Sequence, residues 1–393
     1  MEESEARAKV GKMKIAMIGT SLFHQGVEYV LAALARGLSN HEHDVTVILS
    51  KYHEDWQKGH PDWKPFELES LVKILILPAR HGRESVFSLR KVLRSGRFDV
   101  VLNHAASFCY PMIASAILMR NRPALINVEH LGGIGVDARG RKIEPRSTLR
   151  GRLFQMFKRR LDAQFTVSEG TADAITRMTG FPRPRIYTVY NPAVDDVFER
   201  KRKESSAHPW LREATLPVVV AAGAFAACKN HVLLLRAWAE VIKRFQARLV
   251  IFGEGGLRSE YERLIEELGI GDSVSLPGFT NNLPAELKGA SCFVVSSLIE
   301  SFSVVLVEAL ASGVPVVSTD CPYGPGEILQ RGKYGTLVKN DDATALAEGI
   351  LKVLNGQGIK PPPESYAPFT IDAVVNRYER AMEDVLDKRK VKR

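Results

Sequence analysis

The chain has 393 residues, 45% of them hydrophobic and 25% charged, with a formal net charge of +9. That length exceeds what one core usually supports, so two domains of a soluble globular protein are expected. Cys109, Cys228, Cys292 and Cys321 lie far apart, with no Cys-x-x-Cys pair and no histidine at ligand spacing. This argues against a structural zinc and for a reducing compartment. The acidic start Met1–Glu5 leads into no apolar run, and no run approaches the roughly 20 residues of a membrane span. A cytoplasmic location is expected, with peripheral contact to the inner face of the cytoplasmic membrane in one reading.

In chain order the pattern alternates short apolar runs with amphipathic segments, starting after residues 1–12, which are expected to be disordered. Lys14 to Ile18 reads as a strand, Val27 to Leu38 as a helix and Asp44 to Leu49 as a strand. Val72 to Leu77 and Val100 to Asn103 are further strands, followed by a helix near Pro111 to Met119. Ala124 to Val128 and Gln164 to Val167 are strands, Thr171 to Met178 a helix and Arg185 to Val189 a strand. After a polar break from Glu199 to His208 the rhythm restarts. Strands are expected at Val218 to Ala222, Arg248 to Phe252, Val274 to Leu276, Cys292 to Val295, Val314 to Val317 and Gly335 to Val338. Helices are expected at Val232 to Phe245, Leu257 to Leu268, Leu283 to Lys288, Ser303 to Ala311, Ala343 to Leu354 and Ile371 to Leu386. Such a βα rhythm implies α/β architecture, with parallel sheets covered by helices on both faces.

The positive charge is uneven. Residues 1–200 hold 30 Lys and Arg against 22 Asp and Glu, whereas 201–393 hold 24 against 23. The densest stretch, Arg139 to Arg160, has nine basic residues and one acid, Glu144, interleaved with Leu149, Leu153, Phe154, Met156 and Phe157. It fits an amphipathic helix packed on the first domain, or a surface for anionic lipid head groups. No nucleic-acid binding module accompanies it, so no nucleic-acid partner is expected.

Glu300 and Glu308 bracket Glu300-Ser301-Phe302-Ser303-Val304-Val305-Leu306-Val307-Glu308 between a buried strand and a helix closed by Gly313. One carboxylate sits at the carboxyl end of a strand and the other in the second turn of the next helix. Parallel sheets bind ligands at that edge, where a helix N-terminus offers free N–H groups to an anion. A nucleoside diphosphate fits there, its ribose hydroxyls donating to one carboxylate. The other is left for whatever the diphosphate carries.

This nonet resembles the E-x7-E signature of the retaining GT-B glycosyltransferases of family 4, of the bacterial surface-polysaccharide and lipid-linked-oligosaccharide type. The resemblance spans most of residues 13–388 and is densest over 215–350. It implies two Rossmann-like domains facing across a cleft, 13–195 for the acceptor and 196–368 for the nucleotide-sugar. Residues 369–393 would form a terminal helix packed back on the first domain. It implies that Glu308 holds the ribose, that Glu300 contacts the transferred sugar, and that the Ser301, Phe302 and Ser303 backbone meets the distal phosphate. Family members usually have Gly where Ser301 or Ser303 stands.

Further segments extend the resemblance. Gly26 and Glu28 match a Gly-Gly-x-Glu loop in which Gln25 departs, and Gly223 with Lys229 matches a phosphate-binding segment. Lys229 would neutralise the diphosphate and assist departure of the nucleotide, while Ala224 stands where the family carries Arg. Arg258 and Lys333 are the bases available to replace that arginine. Gly253-Glu254-Gly255-Gly256 is similar to a structural turn near the donor, and Gly278 with Phe279 to a nucleobase contact. Thr319 to Leu329 is similar to a loop of members that use UDP-sugars. His130 matches a histidine near the reacting carbon, with His104 a weaker candidate, and Asn191 reads as structural.

No Asp-x-Asp pair occurs, so no metal and no cofactor are expected. The resemblance implies a nucleotide-sugar donor and a glycan or polyprenyl-linked acceptor, chosen by first-domain loops such as His81 to Ser88 and Gly132 to Arg146. The alternative is a catalytically weakened nucleotide- or glycan-binding subunit of an active transferase. A nicotinamide dehydrogenase fails for want of a dinucleotide fingerprint.

Overall fold

The computed structural model describes residues 11–22, 26–51, 68, 71–79, 82–130, 156–213 and 215–391. Gln25, His81, the loop Gly132 to Arg146 and most of the basic stretch Arg139 to Arg160 lie outside the described residues, as do most of residues 1–12.

Two parallel sheets organise the chain. The first holds β1 (Lys14–Gly19), β2 (Asp44–Leu49), β3 (Lys73–Ile76), β4 (Val100–Asn103), β5 (Ala124–Glu129), β6 (Ala163–Thr166) and β7 (Ile186–Thr188). Their order is β3-β2-β1-β4-β5-β6-β7. The second holds β8 (Val218–Ala222), β9 (Arg248–Phe252), β10 (Val274–Gly278), β11 (Cys292–Val295), β12 (Val316–Thr319) and β13 (Thr336–Val338), in the order β10-β9-β8-β11-β12-β13. In both sheets the order reverses beside the first strand, and that reversal opens a crevice at the strands' carboxyl ends.

Each sheet is buried on both faces, which is why its strands read as unbroken apolar runs. In the first sheet Met17, Leu102, Ile126 and Phe165 point to one core and Ile18, Val101 and Leu125 to the other. In the second, Val220, Phe293 and Val295 face the motif helix Val304–Ala311, while Val219, Leu249 and Val294 face the helix His231–Ile242. The terminal helix Ile371–Val391 leaves the second domain and buries Val374, Val375, Tyr378 and Met382 in the first domain's core. This is the GT-B architecture expected from the sequence.

The element boundaries shift for identifiable reasons. The strand expected from Val314 starts at Val316 because the Val314 amide bonds back to Ala309 O at 3.1 Å and Pro315 has no amide to donate. His81 to Ser88 was expected as a variable loop, yet a 3₁₀ turn Gly82–Ser85 runs into a helix Val86–Gly96. Only Leu89 and Leu93 of that helix are buried, so its apolar stripe is too narrow to stand out. Short helices Asp196–Lys201 and Pro209–Glu213 flank the polar break, and Gly324–Ile328 forms inside the Pro/Gly loop. Among the described residues no helix is long and apolar enough to cross a membrane.

Candidate active site

The motif strand β11 delivers Ser296 and Ser297 to the carboxyl edge of the second sheet, and the chain then turns through Glu300 into the helix Val304–Ala311. The turn is held from both sides. The Glu300 amide donates to Pro322 O at 3.3 Å and the Gly324 amide donates to Glu300 O at 2.9 Å. Phe302 is 2% exposed, its ring packed on Tyr190 and Phe369, so its side chain belongs to the core. Ser303 caps the helix with φ 95° and ψ 80°, a conformation that favours glycine, and its buried Oγ has no hydrogen-bond partner.

Glu300 meets Lys229. The Lys229 Nζ lies 2.6 Å from Glu300 Oε1, which also accepts from Ser297 Oγ at 2.8 Å. Burial works against the Lys229 ammonium, but the Glu300 carboxylate outweighs it and the lysine's pKa is raised. The lysine loop is pinned to the motif strand, since Ser296 Oγ donates to Lys229 O at 3.0 Å and the Leu298 amide to Cys228 O at 2.8 Å. Two residues 71 apart in sequence thus form one ion pair at the mouth of the crevice. A diphosphate entering here meets a cation already held in place and a row of helix-terminal amides.

Glu308 looks elsewhere. Burial pushes its carboxyl up to about 8, with Lys201 opposing the shift and Asp195 adding to it. Tyr29 of the first domain feels the same charges: burial first, then Asp195 and Glu308, raise its phenol well above the usual range. Asp195 anchors this corner by accepting from Arg36 Nη2 at 2.5 Å, from Tyr29 at 3.3 Å and from the Phe198 amide at 2.8 Å. The second glutamate therefore faces the junction between the domains, where sequence reasoning had named none of Tyr29, Arg36, Asp195 or Lys201.

Gly223 adjoins Lys229, and the Gly253–Gly256 turn packs directly on that loop. A Cβ on Gly253 would sit 2.0 Å from Gly223 O and one on Gly255 2.6 Å from Phe225 O, so neither tolerates a side chain. Arg258, one candidate to replace the missing arginine, is engaged by Glu254 at 2.5 Å and Glu262 at 3.0 Å. Lys333 stacks on Tyr334 at 4.8 Å. Gly278 takes φ +93° at the end of β10, and Phe279 beside it is 54% exposed, placed to meet a flat ring. Gly26 opens the first helix, Gly26–Asn40, with no atom within 4 Å of a Cβ built on it. Glu28 accepts from Ser21 Oγ.

His130 follows β5 and stacks on His104, ring centroids 5.0 Å apart, with His104 Nδ1 2.8 Å from His130 Nε2. Burial lowers the His130 pKa to about 4 and that of His104 well below its usual value, so both rings are neutral near pH 7. The pair lies at the carboxyl ends of β4 and β5, facing the crevice from the first domain. Asn191 lies beside His130 and tends to raise its pKa.

A further contact was missed in the sequence. Glu327 Oε1 accepts from Tyr190 OH at 2.7 Å and Oε2 from the Glu169 amide at 2.9 Å, so a second-domain carboxylate caps the first-domain helix Glu169–Thr179. Among the described residues no three His, Cys, Asp or Glu side chains converge as metal ligands.

With this geometry in view, the chain's relatives are informative. Residues 24–197 match the family model Glycosyltransferase Family 4, and residues 203–368 match Glycosyl transferases group 1. The two matches adjoin, and the chain belongs to this family of glycosyltransferases. A Campylobacter jejuni protein named GalNAc-alpha-(1->4)-GalNAc-alpha-(1->3)-diNAcBac-PP-undecaprenol alpha-1,4-N-acetyl-D-galactosaminyltransferase is 26% identical over 365 residues, 88% of this chain and 90% of its own. An exopolysaccharide phosphotransferase of Streptomyces coelicolor is 34% identical over 148 residues, 36% of this chain but only 16% of its own length. Another C. jejuni protein, named N-acetylgalactosamine-N,N'-diacetylbacillosaminyl-diphospho-undecaprenol 4-alpha-N-acetylgalactosaminyltransferase, is 36% identical over 132 residues. That match covers 34% of this chain and 36% of the relative. Among solved structures, Anabaena HepE in complex with UDP and glucose superposes with TM-score 0.72 at 17% identity, over 95% of this chain and all of that one. A Rickettsia africae glycosyltransferase does so with TM-score 0.72 at 14% identity, over 96% and 99%. At such identities the likeness is one of fold.

Proposed function

We propose that this chain is a retaining glycosyltransferase that moves a sugar from a UDP-sugar onto a glycan or polyprenyl-linked acceptor in cell-surface polysaccharide synthesis. The observation that carries the proposal is the Lys229–Glu300 pair, 2.6 Å apart at the mouth of the crevice beside the motif helix. As the bond between sugar and diphosphate breaks, negative charge grows on the leaving phosphate. Lys229 and the amides of Ser301 to Ser303 meet that charge in a partly dry site, where fixed donors act most strongly. Glu300, relieved of part of its pairing as the lysine turns to phosphate, accepts hydroxyl protons of the sugar and orients it.

Retention follows if the acceptor hydroxyl enters on the face the diphosphate leaves, its proton passing to the departing phosphate oxygen. His130, neutral at working pH, serves there as a hydrogen-bonding neighbour rather than a cation. Lys229 and the helix amides take the charge-neutralising part, so no metal is required. Undecaprenol-linked acceptors in the names of two relatives, and UDP bound to a structural neighbour, support the choice of acceptor and donor. The test is calorimetric binding of UDP, GDP and ADP to the wild type and to Glu308→Ala, followed by NMR of the anomeric product. Selective UDP binding lost in the variant, with an axial product from an axial donor, is expected; an inverted product refutes retention.

One observation favours a second reading, a weakened binding subunit. Ala224 stands exposed where the family carries Arg, and Arg258 is held by two glutamates rather than free to replace it. Nucleotide binding without turnover on any lipid-linked acceptor would select it.

A further inference from the structure

The donor chemistry leaves unused a basic cavity on the opposite edge of the first sheet. It encloses about 400 Å3 at the amino ends of β5, β6 and β7, away from the edge that holds Asn103 and His130. Arg122, Arg159, Arg160, Arg185, Lys388 and Arg389 line it, against one lining carboxylate, Asp162. The terminal helix brings Lys388 and Arg389 there from more than 200 residues away.

Pairing does not cancel this charge. Asp162 accepts from Arg122 at 2.5 and 3.0 Å and lies 3.4 Å from Arg389 Nε. Lys388 pairs with Asp384 at 2.6 Å. Arg159 and Arg160 are exposed and meet no carboxylate among the described residues. Among the described residues Arg159, Arg160 and Arg185 thus line the cavity without a carboxylate partner. Arg185 is half-buried over the Phe181 ring at 5.0 Å and donates to the backbone carbonyls of Asp162 and Arg159. Among the described residues Arg185 has no carboxylate of its own; a guanidinium taken partly out of water in that way is costly, and an incoming anion removes that cost. Guanidinium forks match the oxygens of a phosphoryl group two at a time.

The rim is apolar. Ile117, Leu118 and Met119 close one side, and Leu118 is 91% exposed with φ +62°. A leucine held outward in a left-handed conformation beside a basic cavity offers a contact for the apolar part of an amphiphile.

We propose that this cavity is a binding site for a phosphate-bearing ligand, separate from the donor site, with Arg159, Arg160 and Arg185 meeting the phosphoryl oxygens. The ligand's source is an anionic lipid head group or a free phosphorylated solute. The proposal stands independently of the transferase reading.

The full chain is tested against phosphatidylcholine vesicles with and without phosphatidylglycerol, by co-sedimentation, and against inorganic pyrophosphate by calorimetry. The variants are Arg159→Glu with Arg160→Glu, both exposed and remote from the core, and Lys229→Met, which disables the donor pocket. Each cation near an anionic surface is worth about fivefold in affinity, so the double reversal should weaken binding at least tenfold. The unfolding midpoint and UDP binding of the double variant should stay unchanged, and Lys229→Met should bind like wild type. Binding confined to phosphatidylglycerol vesicles assigns the lipid source, and pyrophosphate binding that survives Lys229→Met assigns the solute. No binding to either probe overturns the proposal, as does binding that the double variant retains.

Discussion

The raised pKa of Glu308 makes nucleotide binding dependent on pH in a direction that can be worked out. On the proposed function Glu308 takes the ribose hydroxyls, which donate to a carboxylate, so its ionised form is the one that binds. With a pKa of about 8 in the empty protein, the group is about one-tenth ionised at pH 7 and about nine-tenths at pH 9. UDP affinity should therefore rise about tenfold between those values, with close to one proton released per UDP bound at pH 7. Tyr29, raised well above its usual range, and His130, lowered to about 4, do not titrate in this window. The terminal phosphate of UDP, with a pKa of about 6, is already ionised. Calorimetry in buffers of different ionisation enthalpy measures both affinity and proton release. Glu308→Gln should flatten the profile and bind about tenfold more weakly than wild type at pH 9. A flat wild-type profile, or proton uptake, refutes the reasoning. The same shift bears on stability with the opposite sense. Folding raises this pKa from 4.5 to about 8, so the folded state holds the extra proton between those values. Stability is full below 4.5 and falls as pH rises towards 8, and Glu308→Gln should gain more in unfolding midpoint at pH 9 than at pH 5.

Three further perturbations probe the surrounding geometry. Lys229→Met removes the cation beside Glu300, so UDP affinity should fall at least tenfold, about the worth of one charged hydrogen bond, while uridine binding is unchanged; equal losses for both would show that the lysine acts on the fold. Ser303→Gly relieves a conformation costing roughly 1–3 kcal/mol but adds about 0.5–1 kcal/mol of chain entropy, so the midpoint should rise by about 2–4 °C in a thermal scan. A fall would mean that the serine is unstrained. Glu327→Ala deletes the bonds to Tyr190 and the Glu169 amide at the domain junction, and should cost about 1–3 kcal/mol in denaturant unfolding; no change would mean that the contact is formed without net gain.

What the sequence disclosed follows from the range of each interaction. Val218–Ala222, Arg248–Phe252 and Cys292–Val295 were legible to the residue because strands buried on both faces must be continuous apolar runs. The helix Val86–Gly96 was not, because two buried leucines four residues apart make too faint a stripe. Gly324–Ile328 was hidden by its own Pro and Gly, which read as a connecting loop. The motif helix was legible almost to its cap, and the missing residue is Ser303, whose φ of 95° no propensity scale anticipates.

The site divides along the same line. The places of Glu300, Lys229 and Glu308 in the fold could be read because each sits in a local pattern of strand end, βα loop or helix turn. Their partners could not, because they come from distant parts of the chain: Ser297 is near, but Tyr29 and Asp195 are 166 residues apart and Tyr190 and Glu327 are 137 apart. Glu327 shows the consequence most clearly. In the sequence it closes a loop that resembles one used with UDP-sugars, and nothing local distinguishes it from a solvated carboxylate. In the fold its two oxygens take Tyr190 and the first turn of a helix in the other domain. The loop bearing Glu327 also holds the Glu300 backbone, through Pro322 and Gly324. One loop thus joins the inter-domain contact to the Glu300 backbone and, through the Glu300 side chain, to Lys229. On the proposed function Glu300 and Lys229 meet the donor, and their placement is then set in part by a contact that lies outside the motif.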